Sequence, residues 1–243
     1  MPSIRSNLFA VAMLGAIAFS AAPASADQQE LQETVDRATT TFNAFVNDPD
    51  KRWFRRHIER ARGVFIVPKL IRAGLGFGGS GGSGVLLGRD SKTGEWSYPA
   101  FYSMGSVTFG LQIGVEVSSV LMLVMTTAGM DALLSTDFKI GVDASIAVGP
   151  VGTGVATHTF DILLYSRDRG LFGGLTIDGS LISPQDSKNR KYYGKSATTV
   201  DVIVLRNVYN PGADALRTAI ARVTKGQASP PPASAPGAST PAE

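Results

Sequence analysis

The chain has 243 residues, 44% of them apolar and 18% charged, with 27 glycines and no cysteine. That is ordinary apolar content for a packed core, and the glycine content favours a β-rich fold over a helical bundle. A formal charge of +3 is too small to imply nucleic acid, and without cysteine there is neither a disulfide framework nor a lipidated cysteine at the N-terminus.

Residues 1–26 read as a secretory signal. Arg5 supplies the positive region, Leu8–Phe19 is a twelve-residue apolar stretch, and Ala24-Ser25-Ala26 is an A-x-A cleavage site before Asp27. The apolar stretch is short of the roughly 20 residues that span a bilayer. The expected location is therefore periplasmic or secreted, with peripheral attachment to a membrane. Without Arg5 the net charge falls to +2.

The mature chain opens with an expected helix over 27–47, whose stripe is Leu31, Val35, Ala38, Phe42 and Phe45. Asp48-Pro49 ends it, and Asp50 is positioned to cap a second helix to about Ala61. This second helix, DKRWFRRHIERAR, holds Lys51, Arg52, Arg55, Arg56, Arg60 and Arg62 against one acid, Glu59. Arg52, Arg55, Arg56 and Arg60 cluster on one helical face, beside Trp53 and Phe54. A charge run is usually a solvated face. Here the arginines and aromatics together suit an anionic membrane, with guanidinium forks on phosphate and rings in the headgroup boundary. Lys69 and Arg72 extend the patch, and Lys188, Arg190, Lys191 and Lys195 form a weaker one.

From Gly63 the pattern turns to strands, at 63–67, 83–88, 95–102, 106–117, 120–126, 138–149, 155–166 and 171–182, with a short helix near 128–134. Val115 and Val117 fall on one face of their strand and Gly114 and Glu116 on the other. No long helical crossovers separate the strands, so antiparallel pairing is expected. Helical turns are expected at 186–193 and 199–208, and a helix at 213–225 with Leu216, Ile220 and Val223 inward. Residues 227–243 are rich in Pro, Ala and Ser and read as a disordered tail, a spacer or docking segment. The fold class is α+β, mainly β: an antiparallel sandwich or barrel-like core over residues 27–226, flanked by N-terminal amphipathic helices and a C-terminal helix.

Residues 74–84, GLGFGGSGGSG, contain seven glycines. They match G-x-G-x-x-G, but no helix opens after them to meet a pyrophosphate. They also match G-x-S-x-G around Ser80, with Asp143 and His158 downstream, but again lack the helix of a nucleophile elbow. A serine hydrolase using Ser80 and His158 is therefore a remote alternative. Glycines that permit tight turns, strand bends or close backbone approach explain the whole stretch. Two histidines 101 residues apart offer no metal-ligand spacing, and no cofactor is expected.

The segments ARGVFIVP (61–68), AGLGFGGSGGSGVLL (73–87), GEWSYPAFYSMGSVTFGLQIGVEV (94–117), DASIAVGPVG (143–152), YSRDRGLFGGLTIDGSLI (165–182) and NRKYYG (189–194) resemble, in order, the SYLF lipid-binding domain family. The resemblance implies a non-catalytic phospholipid-binding module, helped by an N-terminal amphipathic helix at the position of Asp50–Arg62. Eukaryotic relatives join this domain to SH3 or FYVE modules, which are not read in this chain. A periplasmic setting replaces their phosphoinositides with anionic phospholipid or glycolipid phosphate. The alternative is an envelope module that binds a protein partner, with the proline-rich tail as the docking segment.

Overall fold

The computed structural model describes residues 22–48, 52–148, 160–169 and 179–226; of residues 22–25, 52, 53, 75–77, 108–113, 148, 168 and 169 it describes the backbone alone. Helix α1 (Ala22–Val46) and the short α2 (Arg52–Ile58) lead into two long strands, β1 (Gly63–Gly88) and β2 (Ala100–Val124). Helix α3 (Thr127–Leu134), strands β3 (Phe138–Lys139), β4 (Ile146–Val148), β5 (Ile162–Arg169) and β6 (Leu181–Pro184), and helices α4 (Asp186–Tyr193) and α5 (Asp214–Thr224) follow. A π-helical turn at Asp201–Leu205 and a 3₁₀ turn at Pro211–Ala213 join the last two helices.

β1 and β2 form an antiparallel ribbon from Gly63↔Val124 to Leu86↔Ala100. The other edge of β2 pairs with β6 over 102–105 and with β5 over 117–124. β3 extends β6, and β4 extends β5 in parallel, an exception to the antiparallel expectation. The described strands make one sheet, not two, so the barrel-like alternative fits better than the sandwich.

This sheet curls on itself. Alternate residues of the ribbon enter two separate cores, because successive side chains point to opposite faces. Phe65, Val67, Leu86, Tyr102, Met104, Val120 and Met122 fill the concave side with Phe138, Ile162 and Ile182. Val64, Ile66, Val85, Leu87, Phe101, Leu121 and Leu123 fill the convex side, where the helices lie. There the stripe of α1 (Leu31, Val35, Ala38, Phe42, Phe45) and that of α5 (Leu216, Ile220, Val223) are all buried, as their spacing predicts.

The glycine-rich stretch is part of β1, not a turn between strands. The curl brings the end of β1 back to its own beginning, and the amide of Arg89 donates to the carbonyl of Arg62 at 2.7 Å. A Cβ on Gly84 would stand 2.6 Å from the carbonyl oxygen of Ile66, and one on Gly82 2.6 Å from that of Lys69. Both contacts are with backbone, which cannot yield. Gly84→Ala is therefore expected to cost about 1–3 kcal/mol, read as a lower urea midpoint at unchanged slope. A variant as stable as wild type would refute the close approach.

Other expectations shift at the ends of elements. The strand expected over 95–102 begins only at Ala100, the two expected over 106–117 and 120–126 are one, and that over 138–149 is broken by a turn with Gly141 at φ 80°. Pro68, which has no amide hydrogen, sits where the register of β1 shifts between Val67 and Leu70. The expected signal region, the proline-rich tail and His158 lie outside the described residues, apart from the start of α1, which runs through the expected cleavage site. Among the described residues no helix is long and apolar enough to cross a membrane.

Candidate functional site

The basic segment folds as a short helix with its apolar side inward. Phe54 and Ile58 are fully buried. Phe54 meets Tyr165 edge-on at 5.1 Å and lies 6.3 and 6.2 Å from Phe42 and Phe45. The expectation that Phe54 enters a headgroup boundary is thus corrected: it joins α2 to the core. Arg55 is half-buried and donates to the carbonyl of Val46 at 2.7 Å, satisfying the C-terminus of α1. Arg56, Arg60, Arg62 and Lys69 are exposed. Among the described residues their side chains form no ion pair. The side chains of Arg52 and Trp53 lie outside the described residues.

Arg72 is also corrected. It is 6% exposed and pairs with Glu116, 2% exposed, at 3.3 Å on the concave side of the ribbon. The two are direct partners in the β1–β2 register. On the opposite, convex side of the same stretch the helices no longer cover the sheet. Ile71 and Ala73 are exposed there, Val115 is 69% exposed and Val107 is 76% exposed. The middle of the ribbon thus carries charge inward and valine outward, the reverse of an ordinary soluble sheet. Lys69 and Arg167, both exposed, lie beside this apolar face. Arg167 is reached from β2 through the pair Ser119↔Arg167, two residues along from Val117.

A second cationic feature lies where the ends of the ribbon meet. Arg62, Arg89 and Arg206 line a cavity of about 230 Å³ with Asp90, Ser91 and Thr127, over Gly88, Met130, Leu134 and Ile203. Arg206 closes the π-helical turn at φ 53°, a left-handed conformation that costs a non-glycine residue about 1–2 kcal/mol. Its guanidinium is held by the carbonyls of Glu95 at 2.9 Å and Gly88 at 3.3 Å. Burial, with Arg217 nearby, pulls its pKa below the ordinary arginine value against the opposing pull of Asp90, and it stays charged at neutral pH. The carboxylate of Asp90 caps its own loop, accepting from the amides of Thr93 at 2.8 Å and Lys92 at 2.7 Å. Those amides hold its pKa below the usual range. Sequence reading singled out Arg62 but missed Arg89 and Arg206, because nothing local marks residues 117 positions apart as neighbours.

Ser80 faces the concave side and hydrogen-bonds Ser106 at 2.8 Å, its one hydrogen-bond partner among the described residues. Asp143 accepts from the amide of Lys139 at 2.6 Å, so it serves a turn.

Residues 105–223 match the family model described as "Las17-binding protein actin regulator", Ysc84. The chain is 30% identical over 170 residues to Protein YSC84 of Saccharomyces cerevisiae, covering 65% of this chain and 35% of that protein. It is 31% identical over 170 residues to LAS seventeen-binding protein 3 of the same yeast, covering 65% of this chain and 36% of that protein. It is 28% identical over 163 residues to SH3 domain-containing YSC84-like protein 1 of Homo sapiens, covering 65% of this chain and 47% of that protein. The matched stretch is thus less than half the length of each of these relatives. They are named for binding and for domains, not for a reaction. No solved structure matches. Through the segment 105–223 and these relatives, the chain belongs to the Ysc84, or SYLF, domain family.

Proposed function

We propose that this chain is an exported, non-catalytic module that binds anionic phospholipid at a membrane surface. The observation that carries the reading is the reversed polarity of the ribbon, with Val115 outward and its neighbour Glu116 buried. An apolar face of this kind lowers its free energy by entering the headgroup boundary, while adjacent cations hold anionic lipid. Lys69 and Arg167 beside it, and Arg56, Arg60 and Arg62 at the end of α2 and the start of β1, supply the cations. Each basic group near an anionic surface contributes about 1 kcal/mol. In this reading the basic helix contributes charge through Arg56 and Arg60, while the ring of Phe54 is buried in the core. The secretory signal read at residues 1–26 supports a location in the periplasm or outside the cell. A first residue of Asp27, by mass spectrometry of protein recovered from an exporting host, is the expected result.

The test is co-sedimentation of that recovered protein with phosphatidylcholine vesicles and with vesicles containing phosphatidylglycerol, at low and high salt. Binding to the anionic vesicles alone, weakened by salt, is expected because exposed charges are screened within about 8 Å at physiological ionic strength. Val115→Asp should reduce binding at least tenfold without lowering the melting temperature, since Val115 packs against little. Equal binding by Val115→Asp would remove the ribbon from the interface, and no binding by wild type would end the lipid reading.

A second reading is favoured by the family description, which names a protein partner. Val204, Leu205 and Tyr209 expose further apolar surface in the segment that precedes α5, and the proline-rich tail follows that helix. Loss of a co-purifying envelope protein on deleting 227–243, with vesicle binding intact, would favour it.

A further inference from the structure

We infer that the cavity between the two ends of the β1–β2 ribbon and the π-helical turn is a binding site for a phosphate ester. Three arginines line it against one acid, Asp90. Asp90 is already engaged by two loop amides and stands 4.0 Å from Arg206. The site is thus left with excess positive charge in a partly enclosed space, where charges are less screened than on an open surface.

The three arginines are held differently, and the difference gives them roles. Arg206 is fixed by two carbonyls at a backbone angle that arginine seldom adopts. Arg89 is fixed by the carbonyls of Glu59 at 2.7 Å and Gly94 at 3.3 Å. Both forks are pre-positioned and retain further N–H donors, since each guanidinium carries five. Arg62 is the remaining one. Its backbone is locked, with its amide donating to Val124 and its carbonyl accepting from Arg89. Its exposed side chain forms no hydrogen bond or ion pair among the described residues. Arg62 is therefore placed to close over an anion already met by two fixed forks. The hydroxyls of Ser91 and Thr127 add donors at the rim.

The floor selects what the anion carries. Met130, Leu134 and Ile203 are apolar, and Ile203 packs close against Gly88. A Cβ there would stand 2.7 Å from Cγ2 of Ile203. Fixed arginine forks match the tetrahedral oxygens of phosphate bidentately. An apolar floor suits a substituent with few polar groups. The shared chemistry is a phosphate monoester, either the headgroup of a lipid such as phosphatidate or a free ester such as glycerol 3-phosphate. In the lipid case the inference rests on the membrane reading above, and in the soluble case it stands without it.

The experiment uses the protein as recovered after export, its Arg62→Ala and Ser91→Glu variants, and Lys139→Ala, at an exposed lysine outside the cavity, as a control. Ser91 is exposed, so Ser91→Glu brings a negative charge to the rim without disturbing the fold. Glycerol 3-phosphate and inorganic phosphate are titrated by calorimetry, and phosphatidate vesicles are co-sedimented in parallel. Saturable binding of glycerol 3-phosphate, weakened about tenfold by Arg62→Ala and Ser91→Glu but not by Lys139→Ala, is the result expected for a soluble ester. Binding to phosphatidate vesicles that both cavity variants weaken, with no response to glycerol 3-phosphate, assigns the same site to a lipid headgroup. Vesicle binding that is equal in wild type and both cavity variants, with no binding of either soluble phosphate, overturns the site and leaves the membrane reading standing. Ester binding without vesicle binding keeps the site and removes the membrane reading.

Discussion

Phe54→Ala is expected to lower stability by about 3–5 kcal/mol, the range for emptying a fully buried phenylalanine site. Against a total stability of order 5–15 kcal/mol for a domain, that is a large fraction. The ring lies at a junction of three elements: Phe42 and Phe45 from α1, Tyr165 from β5, and α2 itself. Two effects then add. The cavity loses edge-on ring contacts, and α2 loses its anchor. A seven-residue helix does not persist in water on its own propensity, so its order depends on Phe54 and Ile58. Hydrogen exchange should therefore speed up first across 54–58 and at the end of α1, where Arg55 no longer holds the carbonyl of Val46. Phe54→Leu should recover more than half of the loss. A variant that melts like wild type but binds anionic vesicles more weakly would return Phe54 to the membrane contact and refute its place in the core.

The fate of this helix shows what could be read from the sequence. The spacing of Leu31, Val35, Ala38, Phe42 and Phe45 in α1, and of Leu216, Ile220 and Val223 in α5, predicts the buried stripes found, because each helix presents one face to one sheet. In α2 the same logic was available, since Phe54 and Ile58 are four residues apart. The density of arginine drew the ring into the polar set instead. The strands were legible as β-structure but not in number. Glycine is a poor strand former by propensity, so 74–84 read as a break. The long register with β2, and the need for Gly82 and Gly84 to pass the backbone of Ile66 and Lys69, override that local preference. The curl itself is a non-local property, and everything it assembles shares that obscurity. Nothing beside Arg206 in sequence announces Arg62, and nothing in the alternation around Val115 says which face the helices leave bare.

Arg72→Met is the second large effect. It leaves the carboxylate of Glu116 2% exposed, without the one partner described for it. Removing one member of a buried ion pair typically costs 3–5 kcal/mol, because the remaining charge stays out of water without compensation. Arg72→Met with Glu116→Leu should recover most of that loss, since an apolar pair of similar volume can match a buried ion pair. The pair also bears on register. The ribbon around it is weakly specified by packing, with Gly74 opposite Gly114 and the register shifted between Leu75 and Phe77. A slip of β1 by one residue against β2 would turn Arg72 outward, bury Ile71 and leave Glu116 buried without its partner, although hydrophobicity alone would favour burying Ile71. The directly opposed charges hold the inverted arrangement in place against that slip. The two variants therefore separate two quantities. The double variant should be nearly as stable as wild type yet bind anionic vesicles more weakly, because its apolar face is no longer pinned outward. The single variant should lose both stability and binding. Vesicle binding in the double variant equal to wild type would show that the outward face of Val115 does not depend on the ion pair. Arg72→Met within 1 kcal/mol of wild type would show that the pair contributes little to the fold.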